Sequence, residues 1–319
     1  MIDKQIEALL DEEVSLKDKI KIVTALDKFR YDGYALAQIA NVFLTKAVQI
    51  NIPNIPQNTM DVVGTGGDGY STLNYSTLTA LILAQLDVPV IKHGNRASTS
   101  RCGSFDFLEM IGIDFPKTPQ EVIDVFTKEH CAFLFAPYFH PLFKRIVPVR
   151  KHFAQLGKKT IFNILGPLLN PARVKRMVVG VYEEALIEPM AIALNELGVE
   201  YASVVYGAGM DEFSTCGINH VIQIKQGRLA RQSIHPEQLG FKRSKPELLK
   251  AGDAYQNVKE SLAILNGELM GPKRDMLVIN AAAAYSVSTQ FELDLADAIK
   301  KIKTYLENKP VLFPHPVMH

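Results

Sequence analysis

A chain of 319 residues, 47% hydrophobic and 22% charged, can bury one large core or a large and a small one. Its formal charge of +1 gives no overall attraction to nucleic acid or anionic membrane, so any anion site must be local. The three cysteines, Cys102, Cys131 and Cys216, form no CxxC pair, which argues against a disulfide framework or zinc knuckle and for a reducing compartment.

The opening MIDKQIEALLDEE is acidic and amphipathic, without the apolar core of a signal peptide, and no apolar run reaches bilayer length. A cytoplasmic protein is expected. Apolar residues at helical spacing predict three helices: Ile2, Ile6, Leu9 and Leu10 on the first, Leu16, Ile20, Val23 and Leu26 on the second, and Leu36, Ile39, Val42 and Phe43 on the third. Ser15 and Asp18 resemble a capping box, and Asp32-Gly33 separates the second helix from the third. The PNIPQ segment at 53–57 ends this region, because proline biases the residue before it away from helix.

Strands are then predicted at 60–63, 88–92, 131–136, 177–181, 202–206 and 220–224, alternating with helices. One helix opens at Thr118-Pro119-Gln120-Glu121, which combines an N-cap, a first-turn proline and a capping-box glutamate. Such alternation predicts an α/β fold whose mostly parallel sheet is flanked by helices. The proline-punctuated stretch 141–170 interrupts the rhythm and is expected to rejoin the N-terminal helical layer. Gln226-Gly227 reads as a hairpin turn, and the chain then closes in helices over 275–287 and 291–308.

Four segments carry chemistry. The stretch 61–77, DVVGTGGDGYSTLNYST, runs from strand through Gly64, Gly66, Gly67 and Gly69 to a helix start, a layout that aims backbone N–H groups at phosphate. A glycine-rich turn alone also fits a tight turn with no ligand, and no Walker A loop is present. The stretch 92–106, KHGNRASTSRCGSFD, follows the next strand and gathers Lys92, His93, Asn95 and Arg96 with Ser98, Thr99, Ser100 and Ser104. By itself such a run also reads as a solvated basic loop, with His93 a neutral structural histidine, but loops after parallel strands share the carboxyl edge where ligands bind, which favours a polyphosphate site. Asp211 and Glu212, in GAGMDEFSTCG at 207–217, suit Mg²⁺, a hard cation that shares oxygen ligands with phosphate; an isolated Asp-Glu pair is more often a solvated turn. In 135–170, Arg150 among aromatic neighbours suits an aromatic carboxylate or an ordinary surface ion pair.

Together these motifs resemble the anthranilate phosphoribosyltransferases of tryptophan biosynthesis, through GTGGDGYSTLNYST, KHGNRASTSRCGSFDFLEMIG, FAPYFHPLFKRIVPVR, TIFNILGPLLNP, GMDEFSTCG and NAAAA. The resemblance spans 61–284 and implies transfer of phosphoribose from phosphoribosyl pyrophosphate to the anthranilate amine. It implies phosphoribosyl-pyrophosphate contacts at Gly64, Gly67, Asp68, Thr72, Asn74, Ser76, Thr77, Lys92 and Ser104. It implies anthranilate contacts at His93, Asn95, Tyr138, Arg150 and Pro167, and magnesium ligands at Ser76, Asp211 and Glu212, with two Mg²⁺ ions. The implied architecture is a small all-helical domain, 1–57 joined by about 138–171, on an α/β domain of 58–137 and 172–319. The implied assembly is a homodimer through the helical domain, with no nucleic-acid or membrane partner.

The chemistry needs a stabilised leaving pyrophosphate and an aligned amine rather than a strong base, since the anthranilate nitrogen is uncharged at neutral pH. The chain departs from the family pattern in a shorter helical N-terminus, in a longer KHFAQLGKKT run ending at Lys158-Lys159, and in Phe105 within GSFD. Two other readings share the sequence features: a pyrimidine-type nucleoside phosphorylase, for which Asp211 and Glu212 would be superfluous, and a non-enzymatic nucleic-acid-binding relative, which the near-zero charge disfavours.

Overall fold

The computed structural model describes residues 2–96 and 102–308. Three helices open the chain: α1 (Ile2–Leu10), α2 (Leu16–Leu26) and α3 (Gly33–Thr45). Ser15 caps α2 by accepting the Asp18 N–H at 3.2 Å, while Asp32 does the same for α3 through the Ala35 N–H at 3.0 Å.

Strand β1 (Met60–Gly64) leads through the glycine loop to α4 (Tyr75–Gln85), then β2 (Val90–Gly94), α5 (Ser104–Met110), α6 (Pro119–Glu129) and β3 (Cys131–Phe135). Thr118 caps α6 as expected, but the Glu121 carboxylate accepts the N–H of Lys117 rather than of Thr118, one residue before the cap. His130, in the left-handed region at φ 52°, closes α6 and turns the chain directly into β3. The interruption at 136–171 contains two helices, α7 (Ala136–Phe139) and α8 (Val147–Gln155), and a 3₁₀ turn at Gly166–Leu168. After it come β4 (Arg176–Gly180), α9 (Ile187–Glu196), β5 (Tyr201–Gly207), β6 (Asn219–Lys225) and β7 (Arg228–Ile234). Helices α10 (Ala254–Leu265), α11 (Pro272–Ser288) and α12 (Leu295–Asn308) complete the described chain.

The sheet order is β3-β2-β1-β4-β5-β6-β7; the first five strands are parallel, and β6 and β7 are added antiparallel. The β6–β7 hairpin turns at Gln226 and Gly227, both at positive φ (48° and 81°), the geometry that matches strand twist. Strand β7 is largely exposed, and its Arg228 and Arg231 blunt a sheet edge that would otherwise template another chain. Strand β2 starts two residues later than predicted because Pro89 has no N–H to give the ladder; its carbonyl instead accepts the Met60 N–H at 2.8 Å.

Both faces of the sheet are covered. On one face, α1–α3, the 139–169 segment and α9 form a continuous apolar core with the undersides of β2, β3 and β4. On the other, α4, α5, α10, α11 and α12 form a second core. Helix α11 is buried nearly all round, and its Ala281–Ala284 run lets it lie close to α4, β4 and β5. From β1 the chain crosses to β2 on one side, and from β3 it returns to β4 on the other. The order therefore reverses beside β1, and the crevice at the carboxyl ends of β1 and β4 is where such sheets bind ligands.

Candidate active site

The acidic turn is seated in that crevice by missing side chains. Ala208 and Gly209, at φ 52° and 99°, reverse the chain at the end of β5, and Gly207 and Met210 exchange backbone hydrogen bonds of 2.9 and 3.1 Å. Asp211 and Glu212 are thereby folded back over the sheet edge. A Cβ added at Gly180 would stand 1.6 Å from the Asp211 carbonyl oxygen, one at Gly207 would stand 2.0 Å from that of Glu212, and one at Gly64 would stand 2.2 Å from the Asp211 carboxylate. Three adjacent strands, β1, β4 and β5, thus end in glycine to form the trough in which the turn lies. From α11, Asn280 grips the turn from behind: its Oδ1 accepts the Phe213 N–H at 3.0 Å and its Nδ2 donates to the Phe213 carbonyl at 2.7 Å.

The two carboxylates face the glycine loop. The Gly66 N–H donates to Asp211 Oδ2 at 2.6 Å, and Asp68, which accepts the Tyr70 N–H at 3.0 Å, lies close enough for its charge to bear on Asp211. Burial, with the neighbouring Asp68 charge, pushes the Asp211 carboxyl up to about 7. Burial and the charge of Asp211 raise Glu212 well above the carboxylate range, against the pull of Lys92. Glu212 Oε2 is buried without a hydrogen-bond partner among the described residues. Charge-disfavouring burial and an orphaned oxygen are the state of a carboxylate pair suited to a cation. No group of three or more His, Cys, Asp or Glu side chains forms a ready metal cage among the described residues.

Lys92 approaches from β2. Its side chain is buried, and Nζ donates to the Val62 carbonyl at 2.5 Å and to Ser76 Oγ at 3.2 Å. Burial lowers its pKa, opposed by Asp61 and Glu212. Ser76 and Thr77 sit in the first turn of α4, and Thr77 Oγ1 is buried with no partner among the described residues. Asn74 is fixed from both sides, donating to the Cys102 carbonyl at 3.3 Å and accepting from Asn257 of α10 at 3.0 Å. Thr72 is half-buried in the same loop. Ser104 Oγ donates to the Asn95 carbonyl at 3.0 Å, tying the start of α5 to the end of β2. Ser98, Thr99 and Ser100 lie outside the described residues.

Lys159 closes the mouth of the glycine loop from the helical side. Its ammonium donates to the Gly67 carbonyl and lies 3.5 Å from the centroid of the Tyr182 ring, while its backbone carbonyl accepts from Arg30 at 2.6 Å. Phe105 is fully buried, 4.7 Å from Phe115 and 5.0 Å from Phe135 between ring centroids, so its side chain belongs to the core behind Gly94.

The acceptor-side residues are less tightly knit. Arg150 on α8 is half-buried and makes no hydrogen bond or ion pair with any described residue, and burial alone lowers its pKa. Tyr138 is partly exposed and packs edge-on to Phe135 at 5.1 Å. Asn95 is exposed, with Oδ1 accepting the Arg96 N–H at 2.8 Å. Pro167 is buried in the Gly166–Leu168 turn. His93 is 5% exposed, and both its ring nitrogens face protein oxygens: Nδ1 lies 2.5 Å from Asp61 Oδ2 and Nε2 lies 2.6 Å from the Gly166 carbonyl. Gly180, Asn280, Lys159 and Asn170 carry no recognisable signal of these roles as single letters, although Asn280 stands in the NAAAA motif.

A glycine loop, a buried lysine and a buried acid pair thus gather at the switch point of a parallel sheet, an arrangement suited to a phosphoanion and a cation. Residues 56–309 match the family model described as "Glycosyl transferase family, a/b domain". The chain is 44% identical over 287 residues to the anthranilate phosphoribosyltransferase of Methanosarcina mazei, covering 89% of this chain and 76% of the relative. It is 36% identical over 311 residues to that of Ruminiclostridium cellulolyticum, covering 96% and 89%. The crystal structure of anthranilate phosphoribosyltransferase from Thermus thermophilus superposes with a TM-score of 0.86 at 35% identity, covering 96% of this chain and 89% of that one. The Saccharomyces cerevisiae enzyme in complex with PRPP and Mg superposes at 0.84 with 26% identity, covering 96% and 87%. The chain belongs to the anthranilate phosphoribosyltransferase family.

Proposed function

We propose that this protein transfers the 5-phosphoribosyl group of phosphoribosyl pyrophosphate to the amino group of anthranilate, giving N-(5-phosphoribosyl)anthranilate and pyrophosphate, in tryptophan biosynthesis. The observation that carries the reading is the buried Asp211-Glu212 pair, with an orphaned Glu212 oxygen, set opposite the glycine loop and Lys92.

In this reading Gly64, Gly67, Asp68, Thr72, Asn74, Ser76, Thr77, Lys92 and Ser104 hold phosphoribosyl pyrophosphate, and Ser76, Asp211 and Glu212 bind two Mg²⁺ ions. Bound Mg²⁺ supplies charge stabilisation to the departing pyrophosphate. Lys92, buried and donating to Ser76, adds a fixed positive charge beside the same oxygens, where low dielectric makes it count. Arg150 takes the anthranilate carboxylate in its unpaired guanidinium fork, and Asn95, Tyr138, Pro167 and His93 surround the ring. The amine is a neutral nucleophile, so alignment opposite the pyrophosphate does the work otherwise asked of a base. Closure of the 1–57 and 138–171 helical layer over the α/β body excludes water as a competing acceptor. We read the working form as a homodimer through that layer. Three widely spaced cysteines without a CxxC pair fit a reducing cytoplasm, and no described helix is long and apolar enough to cross a membrane.

The test is anthranilate fluorescence in the presence of phosphoribosyl pyrophosphate and Mg²⁺. Loss of fluorescence that stops when Mg²⁺ is chelated supports the reading. Folded protein that does no better than a no-enzyme control would falsify it.

A further inference from the structure

We infer that Asp61, His93 and Asn170 form a strut that positions the Gly166–Leu168 turn, and that His93 serves the reaction through that turn rather than by exchanging a proton with a substrate. The inference rests on the transferase reading for its functional consequence, although the strut itself is a matter of geometry.

The imidazole has two in-plane positions, and the protein occupies both. Nε2 lies 2.6 Å from the Gly166 carbonyl, which can only accept, so Nε2 carries a hydrogen directed at it. Nδ1 lies 2.5 Å from Asp61 Oδ2. Wherever the proton between Nδ1 and Asp61 resides, no ring lone pair is left for an acceptor amine and no N–H is left for a leaving group. Asp61 is itself fixed: it is 0% exposed, and Asn170 Nδ2 donates to the same Oδ2 at 2.8 Å and to the Ile91 carbonyl at 2.9 Å. Asn170 Oδ1 accepts the Ala172 N–H at 2.9 Å, which pins the chain as it leaves the helical segment for β4. The circuit therefore joins β1, β2 and the 166–172 segment through hydrogen bonds that are buried around Asp61 and partly buried where they reach the turn.

Two other titratable groups bear on the circuit. Lys92 on β2 feels the Asp61 charge, and His140 at the end of α7, its Nε2 donating to the Leu169 carbonyl at 2.7 Å, lies close enough to His93 to be influenced by it. Neither has a hydrogen bond to the His93 ring, whose two nitrogens are taken by Asp61 and Gly166. What the strut fixes is the turn that carries Pro167, one wall of the acceptor side. Displacing such a wall by a fraction of an ångström weakens acceptor binding and alignment and leaves the phosphoribosyl pyrophosphate side in place.

His93→Phe keeps the ring and removes both nitrogens. It should raise the anthranilate KM about ten- to a hundredfold, with little change in the phosphoribosyl pyrophosphate KM and no change in the shape of the kcat–pH profile. Asp61→Asn keeps an oxygen for His93 and Asn170 but not the carboxylate charge, so it should fall between wild type and Asp61→Ala, which should behave like His93→Phe. This Asp61 pair carries the test if His93→Phe does not fold. An unchanged anthranilate KM in Asp61→Ala, or a pH limb that disappears in His93→Phe, overturns the proposal. Nitrogen-15 spectra of ring-labelled histidine in the wild-type protein give an answer independent of turnover. His93 Nε2 should carry its hydrogen with and without anthranilate, and an unprotonated Nε2 overturns the strut even in a fully active enzyme. An inactive wild type that still shows the protonated Nε2 would sink the transferase reading and leave the strut standing.

Discussion

Arg150 holds a guanidinium in a half-buried position with no described counter-charge. Burying a charge without a partner is costly, so the structure loses stability there that an incoming carboxylate restores. A charge-assisted hydrogen bond of this kind contributes about 1.5–3 kcal/mol. Arg150→Ala should therefore raise the anthranilate KM roughly ten- to a hundredfold, with the phosphoribosyl pyrophosphate KM unchanged, both read from initial rates of fluorescence loss. Arg150→Lys should recover only part, because an ammonium lacks the planar fork. His140 makes a prediction in pH. Burial pushes its imidazole down to about 4, although its bond to the Leu169 carbonyl resists. Below the ordinary histidine value the unfolded chain binds a proton that the folded chain refuses, so stability is lost as pH falls from about 6.5 to about 4 and is flat above. The loss approaches roughly 3 kcal/mol, and His140→Gln should flatten that part of a denaturant-midpoint series. If His140→Gln follows the wild-type curve, other groups cause the acid loss. At this scale the sequence shows residue types and neighbours: Lys92, Asp211 and Glu212 are legible because each stands at the end of a predicted strand or in the turn after one. It does not show that His93 has both nitrogens occupied, since Asp61 and Gly166 are 32 and 73 residues away.

At the scale of the element, the strand ends decide the geometry. Gly180 closes β4, and nothing in RMVVG distinguishes it from any strand-ending glycine, yet its absent side chain is the space occupied by the Asp211 carbonyl. Gly180→Ala must push the turn outward. We expect an overpacking loss of about 1–3 kcal/mol in urea unfolding, together with a weaker magnesium dependence: half-saturation should shift at least about tenfold, the scale of an ångström-sized misplacement. Normal magnesium dependence in a folded Gly180→Ala protein would remove the trough from the account. Helix α4 starts after the glycine loop as the sequence predicts, since small and apolar residues follow the loop without a break. The orientation of β6 and β7 was not readable in the same way. A strand predicted from its apolar content has no direction until its neighbour is known, and only the Gln226-Gly227 turn hints at an antiparallel end to the sheet. Asn280 was hidden for a related reason: a polar residue in an alanine-rich helix looks like its exposed face until the packing puts it inside.

At the scale of the molecule, the helical layer carries large exposed apolar side chains: Leu16 at 45%, Tyr31 at 51% and Tyr34 at 66%. A homodimer through this layer predicts twice the chain mass in sedimentation velocity at micromolar concentration. Tyr34→Glu combined with Leu16→Glu should shift it to the monomer without unfolding it, and a wild-type monomer at every concentration rejects the assembly. The layer's core is continuous with one face of the sheet, through α3 on α9 and Phe139 to Leu169 beneath β2 and β4. Composition and spacing revealed the helices. They could not reveal that continuity, because it depends on which faces meet.

The glycine trough also has a consequence in time. The acidic turn has no seat until β1, β4 and β5, drawn from positions 60 to 207, have paired side by side. Such long-range pairings close the largest loops and form late. During refolding, helical circular dichroism should return first, and magnesium-dependent turnover should lag behind it as the last property to appear.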